Sequence, residues 1–367
     1  MTTADVIVIG GGIAGISAAA RIAERGMTVV VLEGEDQLGY HSTGRSAAIF
    51  IRNYGNATLR ALNAAAAPFM EAPEGVSETS LLSPRGELLV ATEDEMPALD
   101  KYAAGSSGLD RLTPDEAVDL VPILRREAIA GAVIERDAQD IDVDRMLSGF
   151  AKMLRRAGGE IRTGAQVRRM RHGDGLWKVE TRRDRLAAPV VVNAAGAWAA
   201  DVAHLAGAKP IPLQALRRSA AILPAPDGHD VSAWPLFGSA AENWYAKPEA
   251  GKLMVSPADE DEVDPHDAWA DDMVLAEGLD RYERAVTVPL TRVETSWAGL
   301  RTFANDRTPL VGFDAWEPGF FWLAGQGGYG VQTAPALAAL TAALVAGEAP
   351  ALAPDVVTAL DPSRLMV

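Results

Sequence analysis

The first apolar run of the chain, Val6-Ile7-Val8-Ile9, is unbroken and ends at Gly10-Gly11-Gly12-Ile13-Ala14-Gly15. Such a run predicts a strand covered on both faces in a parallel sheet. The period then changes. Ile13, Ile16, Ala19, Ala20 and Ala23 recur at helical spacing up to Gly26, which is placed to close the helix in a left-handed cap. Met27–Leu32 predicts a second strand, which ends at Glu33. Further on, Leu81–Val90 predicts two strand pieces bent at Pro84–Gly86, and Thr113-Pro114-Asp115-Glu116 a capped short helix. A helix is expected over about 143–156, stopped by Gly158-Gly159. A strand pair over 166–171 and 176–181 follows, with Arg168, Arg169, Arg171, Arg182, Arg183 and Arg185 on its wet face.

Ala188–Trp198 repeats the opening logic, a buried strand ending in small residues. After Pro210 long strands and turns run to Trp297. A last strand, Phe320–Ala324, leads through Gly325-Gln326-Gly327-Gly328-Tyr329-Gly330-Val331-Gln332 into a helix ending near Gly347. This alternation predicts an α/β chain with a Rossmann-type dinucleotide-binding domain that is discontinuous in sequence, over 1–48, 141–209 and 310–367. Residues 49–140 and 210–309 are expected to form a sheet-based (α+β) domain for the substrate.

The opening unit carries the first chemistry. Gly10 allows a tight turn, Gly12 lets a pyrophosphate approach the backbone, and Gly15 lets helix and strand pack closely. Glu33 lies 18 positions beyond Gly15 (33 − 15), the spacing of a carboxylate that holds a ribose 2′-hydroxyl and repels a 2′-phosphate, so NADP is disfavoured.

Composition narrows the partners. A hydrophobic fraction of 48% with 23% charged residues is that of a globular protein with a sizeable core. The net charge of −16 argues against nucleic acid and anionic membrane surfaces. It is compatible with a cationic substrate, although a solvated acidic surface is the plainer reading. There is no cysteine, which removes disulfides, thiolate catalysis and a cysteinyl-flavin link. Asp5 precedes the first apolar run and no basic residue does, so that run reads as a strand and not a signal peptide. The stretch 334–346 is too short for a membrane span. The expectation is a cytoplasmic enzyme without a metal site.

Tyr40-His41-Ser42-Thr43-Gly44-Arg45-Ser46-Ala47-Ala48 gathers hydroxyls, one arginine and small residues. It suits hydrogen bonds to a pyrophosphate and a flat ring against the backbone. The alternative is a helix N-cap made by Ser42 and Thr43, with Arg45 on the surface.

Taken in order, Gly39–Ala48, Leu81–Arg85, Val121–Arg126, Asn193–Trp198, Trp297–Arg301 and Gln326–Gly330 resemble the FAD-dependent oxidoreductases of the D-amino-acid oxidase (DAO) type, and within them the bacterial D-arginine dehydrogenases. The resemblance implies non-covalent FAD, with His41 the one residue that would offer a covalent link. Glu33 would hold the adenosine ribose. Ser42, Thr43, Arg45, Ser46, Ala47 and Ala48 would lie by the pyrophosphate and ring. Gly10, Gly12, Ile13, Ala14 and Gly15 would form the phosphate turn. Val167, Ala195, Gly196 and Trp198 would line the adenosine side. Gly327, Gly328, Tyr329, Gly330 and Val331 would hold the isoalloxazine edge, which Arg301 also reaches.

For the substrate, the resemblance implies a carboxylate held by Arg218, Arg301, Tyr54 and Tyr245, with Gly328 and Gln332 nearby, and Glu87 facing a cationic side chain. Read alone, Glu87 would be an exposed strand carboxylate. Ile49 and Phe50 depart from the family pattern near the ring, where a polar group is missing, and Leu236 and Gly238 depart from it in the segment lining the side-chain pocket. The implied activity is oxidation of a D-amino acid, D-arginine- or D-lysine-like, to the imino acid, which hydrolyses to a 2-oxo acid and ammonia. The alternatives are a secondary-amine oxidase acting on sarcosine or another N-methyl amino acid, and a flavin-binding subunit of a larger amine-oxidising complex. The electron acceptor stays open.

Overall fold

A computed structural model describes residues 2–366. Its central layer is a six-stranded sheet in the order Glu160–Arg162, Val29–Leu32, Val6–Ile9, Val190–Asn193, Phe320–Ala324, Leu310–Phe313. Neighbours are parallel except the last pair. The apolar runs Val6–Ile9 and Val29–Leu32 are buried along their whole length, as strands covered on both faces must be. Helices Ile13–Ala23, Ala57–Glu71, Val143–Arg156 and Gly330–Ala346 share one hydrophobic core on one side of this sheet. Helix Ala57–Glu71 therefore packs with the dinucleotide-type layer, although it lies in the segment 49–140.

Three local expectations shift. Helix Ile13–Ala23 ends before Gly26, which takes φ +82° in the turn that follows. The strand expected from Gln166 begins at Arg169 and pairs with Leu176–Glu180 across a turn in which Asp174 and Gly175 both have positive φ. Ser42 and Thr43 cap no helix of their own. Instead the Thr43 hydroxyl accepts from the N–H of Ile13 (3.1 Å), capping a helix whose own cap residue, Gly12, has no side chain. The helix over 143–156, the capping box of Thr113 with Glu116, the bend at Gly86 and the exposed arginines between 168 and 185 are as the pattern predicts.

A nine-stranded sheet forms the second layer. Its order runs Asp261–Glu262, Leu213–Leu223, Lys252–Ser256, Tyr245–Glu249, Leu236–Ser239, Glu87–Ala91, Gly131–Glu135, Leu109–Leu112, with Thr295–Ala304 also paired to Leu213–Leu223. It has its own core around Leu88, Phe237, Trp244 and Tyr282. No helix among the described residues is long and apolar enough to cross a membrane.

The glycine turn is the tightest junction. A Cβ on Gly15 would sit 2.0 Å from the carbonyl oxygen of Gly10, whereas one on Gly12 would meet nothing nearer than the Thr43 hydroxyl at 3.2 Å. Backbone cannot yield as a side chain can. Gly15→Ala is therefore expected to cost about 1–3 kcal/mol or to prevent folding, while Gly12→Ala keeps a melting temperature near wild type in nucleotide-free protein. Thermal denaturation of the two variants side by side checks this, and equal losses would contradict it.

Candidate functional site

Between the two layers lies one elongated cavity of about 1620 Å³, its open mouth included. Its floor toward the six-stranded sheet is built from Gly12, Ile13, Ala14, Ser42, Thr43, Arg45, Ser46, Ala47, Ala48, Gly196, Gly327, Gly328, Gly330 and Val331. Its other wall is one face of the nine-stranded sheet, with Tyr54 and Tyr102 alongside. Gly10, Gly15, Glu33, Val167, Ala195, Trp198 and Tyr329 are not among the residues that line it.

The sheet register explains how the polar side chains meet. Arg301 pairs with Leu216, two positions from Arg218 on the same strand, so the two guanidiniums leave the same face. Across the sheet, Gly238 pairs with both Tyr245 and Leu89, and Leu236 with Glu87. The face thus runs from two arginines, past Tyr245 and the apolar Leu236 and Leu89, to the carboxylate of Glu87.

The two arginines are unequally committed. The buried Arg218 donates to the Asp259 carbonyl (2.8 Å) and to Glu260 (2.9 Å). Arg301 makes only a long contact to the Tyr245 hydroxyl (3.5 Å), and no carboxylate pairs with it among the described residues. Burial opposes its charge, but the phenols of Tyr245 and Tyr54 outweigh that and raise its pKa. Burial likewise raises Tyr245, yet Arg301 and Arg218 more than offset it and hold this phenol below its ordinary value. Tyr54 is pushed up, chiefly by burial, and stays a neutral donor.

The far end is acidic. Glu87 is 6% exposed and accepts from the Tyr102 hydroxyl (3.0 Å). Burial first, and the neighbouring Glu135 second, push its pKa up to about 8. The alternative of an exposed strand carboxylate is thus overturned. Tyr102, Glu135 and Glu242 went unnoticed in the sequence, where only the helical spacing of Tyr102 and the strand alternation of Glu135 could have flagged burial.

Several expected residues carry other duties. The Gln332 amide lines the cavity, but its oxygen accepts from Ile51 N–H (3.2 Å) and its nitrogen donates to Asn63 (2.8 Å). Arg45 donates to the carbonyls of Ala268 (2.8 Å) and Ala298 (3.0 Å) and to Asp267 (2.5 Å), so it fastens the 42–48 loop to the 267–268 segment. Glu33 accepts from the N–H groups of Gly11 (2.6 Å) and Glu35 (2.8 Å), which holds it beside the glycine turn. His41 meets Glu35 (2.9 Å). Of the four departures from the family pattern, Ile49, Leu236 and Gly238 line the cavity, while Phe50 is wholly buried and points away from it.

Comparison with known proteins agrees with this geometry. Residues 5–344 match the family described as DAO, FAD dependent oxidoreductase. The 4-methylaminobutanoate oxidase (formaldehyde-forming) of Paenarthrobacter nicotinovorans is 29% identical over 272 residues, which is 71% of this chain and 32% of that protein. The curated relatives are longer, and the chain spans 32% to 59% of their length. L-proline dehydrogenase from P. horikoshii superimposes with a TM-score of 0.84 at 22% identity, covering 100% of this chain and 98% of that one. Glycine oxidase from Geobacillus kaustophilus gives 0.83 at 21% identity, with 96% and 97% covered. At these identities the likeness to solved structures is one of fold.

The cavity floor fits FAD. Gly12 bares its backbone to the cavity at the N-terminal end of helix Ile13–Ala23, where negative charge is favoured. Thr302, 6% exposed, lines the cavity and its hydroxyl has no partner among the described residues, an orphan that a ligand's polar edge would satisfy.

The state of Glu87 has a measurable consequence. Its folded pKa, about 8, lies above the ordinary 4.5, so the native state holds this proton more tightly than the unfolded chain. The associated stability is full below about 4.5 and is lost progressively as pH rises to about 8. Glu87→Gln should remove that loss, on the order of a few kcal/mol, so its melting temperature falls less than wild type's between pH 5 and pH 9. Parallel curves would contradict the assignment.

Proposed function

The chain belongs to the FAD-dependent oxidoreductase family of the DAO type, and from that premise we propose that it oxidises a D-amino acid with a cationic side chain, of the D-arginine or D-lysine kind. One observation carries the reading. The cavity is polarised, with the unpaired guanidinium of Arg301 at one end and the buried carboxylate of Glu87 at the other. A substrate bearing a carboxylate and, several atoms away, a cation satisfies both ends.

Bound FAD supplies two-electron oxidation of a C–H bond next to nitrogen. Arg301 clamps the substrate carboxylate through paired hydrogen bonds, with Arg218 adding positive potential and Tyr245 and Tyr54 donating from their hydroxyls. That clamp fixes the direction of the Cα–H bond. Leu236, Leu89 and Gly238 leave an apolar passage for the side-chain methylenes. The amine must enter the reaction neutral, since its lone pair forms the new C=N bond. The imino acid then hydrolyses in water to a 2-oxo acid and ammonia. On the cofactor side, Glu33 spends two of its roughly four acceptor positions on backbone N–H groups and keeps the others for ribose hydroxyls. The D configuration rests on the sequence resemblance.

A second reading, oxidation of a secondary amine, is favoured by the 29% identity to an oxidase of a methylamino acid. The amine end of the substrate separates the two.

An anaerobic panel of D-, L- and N-methyl amino acids, read by flavin bleaching, tests the proposal. D-arginine and D-lysine should reduce the flavin faster than neutral D-amino acids, D-glutamate should be excluded and sarcosine should be poor. Glu87→Leu should lower kcat/KM for D-arginine by at least roughly thirtyfold, the scale of breaking a buried charge pair, and change D-methionine little. Equal loss on both substrates would remove Glu87 from the side-chain pocket. Arg301→Lys keeps the charge but not the fork. It should slow reduction on the order of a hundredfold for every substrate, and near-normal rates would end the clamp assignment.

A further inference from the structure

Glu135 is the last residue of strand Gly131–Glu135, is 2% exposed, and pairs in register with Glu87. Like charges directly opposite on neighbouring strands are destabilising, so a second buried carboxylate here needs compensation. It comes from one short segment. Glu135 accepts from the N–H of Arg52 (2.7 Å), from the side-chain amide of Asn53 (2.6 Å) and from the Asn53 N–H (3.3 Å). Asn53 is itself held by Ser107 through two hydrogen bonds (2.9 and 3.0 Å). The next residue is Tyr54. From the other side, Asn63 donates to the carbonyls of Ile51, Arg52 and Tyr54.

We propose that Glu135 is a positioning residue, which fixes Tyr54 over the cavity through Arg52 and Asn53 and, through its in-register pairing with Glu87, sets how readily the acidic end gives up its proton to a cationic side chain. This rests on the reading of Glu87 as the partner of the substrate cation. The groups facing Glu87 are Glu135 across the strand, Tyr102 from helix Met96–Ala104, and Glu242 from the turn before Tyr245. Two of the three are carboxylates, and only Tyr102 stabilises the ionised form. Glu87 therefore holds a proton in the empty cavity, and a cation that enters displaces it to solvent. No covalent bond to the substrate forms.

The test is the ratio of kcat/KM for D-arginine to that for D-methionine as a function of pH, since the ratio cancels titration of the α-amino group. In wild type the ratio should climb with pH through a midpoint near 8 and level off about a unit above it. Glu135→Gln removes the charge, and the climb should move at least about one unit lower, the scale of a like-charge neighbour. Glu135→Asp keeps the charge but withdraws the hydrogen bonds. It should leave the climb in place and lower kcat on both substrates on the order of tenfold or more as Tyr54 loosens. An unmoved climb in Glu135→Gln, or wild-type kcat in Glu135→Asp, overturns the proposal. A wild type with no climb contradicts the cation reading itself, and the kcat of Glu135→Asp on D-methionine then still decides the Tyr54 arm. Flavin content and melting temperature identify variants that fail to fold, and either variant alone keeps one arm testable.

Discussion

An arginine without a counter-ion in a cavity wall is costly, because burial removes hydration that nothing else replaces. The architecture around Arg301 meets that cost in part. Ten residues of strand Thr295–Ala304 pair with Leu213–Leu223, which fixes the backbone beneath it. Glu260, which pairs with the neighbouring Arg218 and also with Arg307, tempers the repulsion without removing the positive potential. The Tyr245 hydroxyl supplies one long polar contact, at 3.5 Å. What is left over is an affinity for a carboxylate, held at a defined distance from the glycine-lined floor.

The opposite end of the same sheet face uses the reverse logic. Glu87 and Glu135 are forced together by strand register, and burial keeps at least one of them protonated when the cavity is empty. The sheet thereby presents a ruler with a positive and a protonatable end. Strands about 4.8 Å apart separate the two, and the intervening Leu236, Leu89 and Gly238 make the middle apolar. The six-stranded sheet contributes the other constraint, since Gly10 and Gly15 allow strand and helix to meet too closely for any side chain.

Much of this was legible in the chain. The glycine turn, both flanking strands, the helix over 143–156 and the glycine-rich entry to helix Gly330–Ala346 follow from apolar periodicity and turn chemistry, which are local. A dinucleotide cofactor followed from the same local unit, and FAD from the family resemblance of the longer runs. What was not legible depends on contacts between distant segments. That Thr43 caps the helix beginning at Ile13, that Gln332 is occupied by Asn63, that Arg45 is tied to residues 267–268, and that Phe50 turns into the core all depend on which strands become neighbours. The pairing of Glu87 with Glu135 is of the same kind, because two glutamates 48 positions apart (135 − 87) carry no sign in the sequence that they will face each other.

These constraints set the orientation of the substrate along the polarised face. A crystal structure of the reduced, anaerobic complex with D-arginine measures it most directly. The carboxylate is expected on the Arg301 guanidinium, the methylenes against Leu236 and Leu89, and the cationic end on Glu87. A ligand bound the other way round, or one whose cationic end lies in solvent away from Glu87, would contradict it.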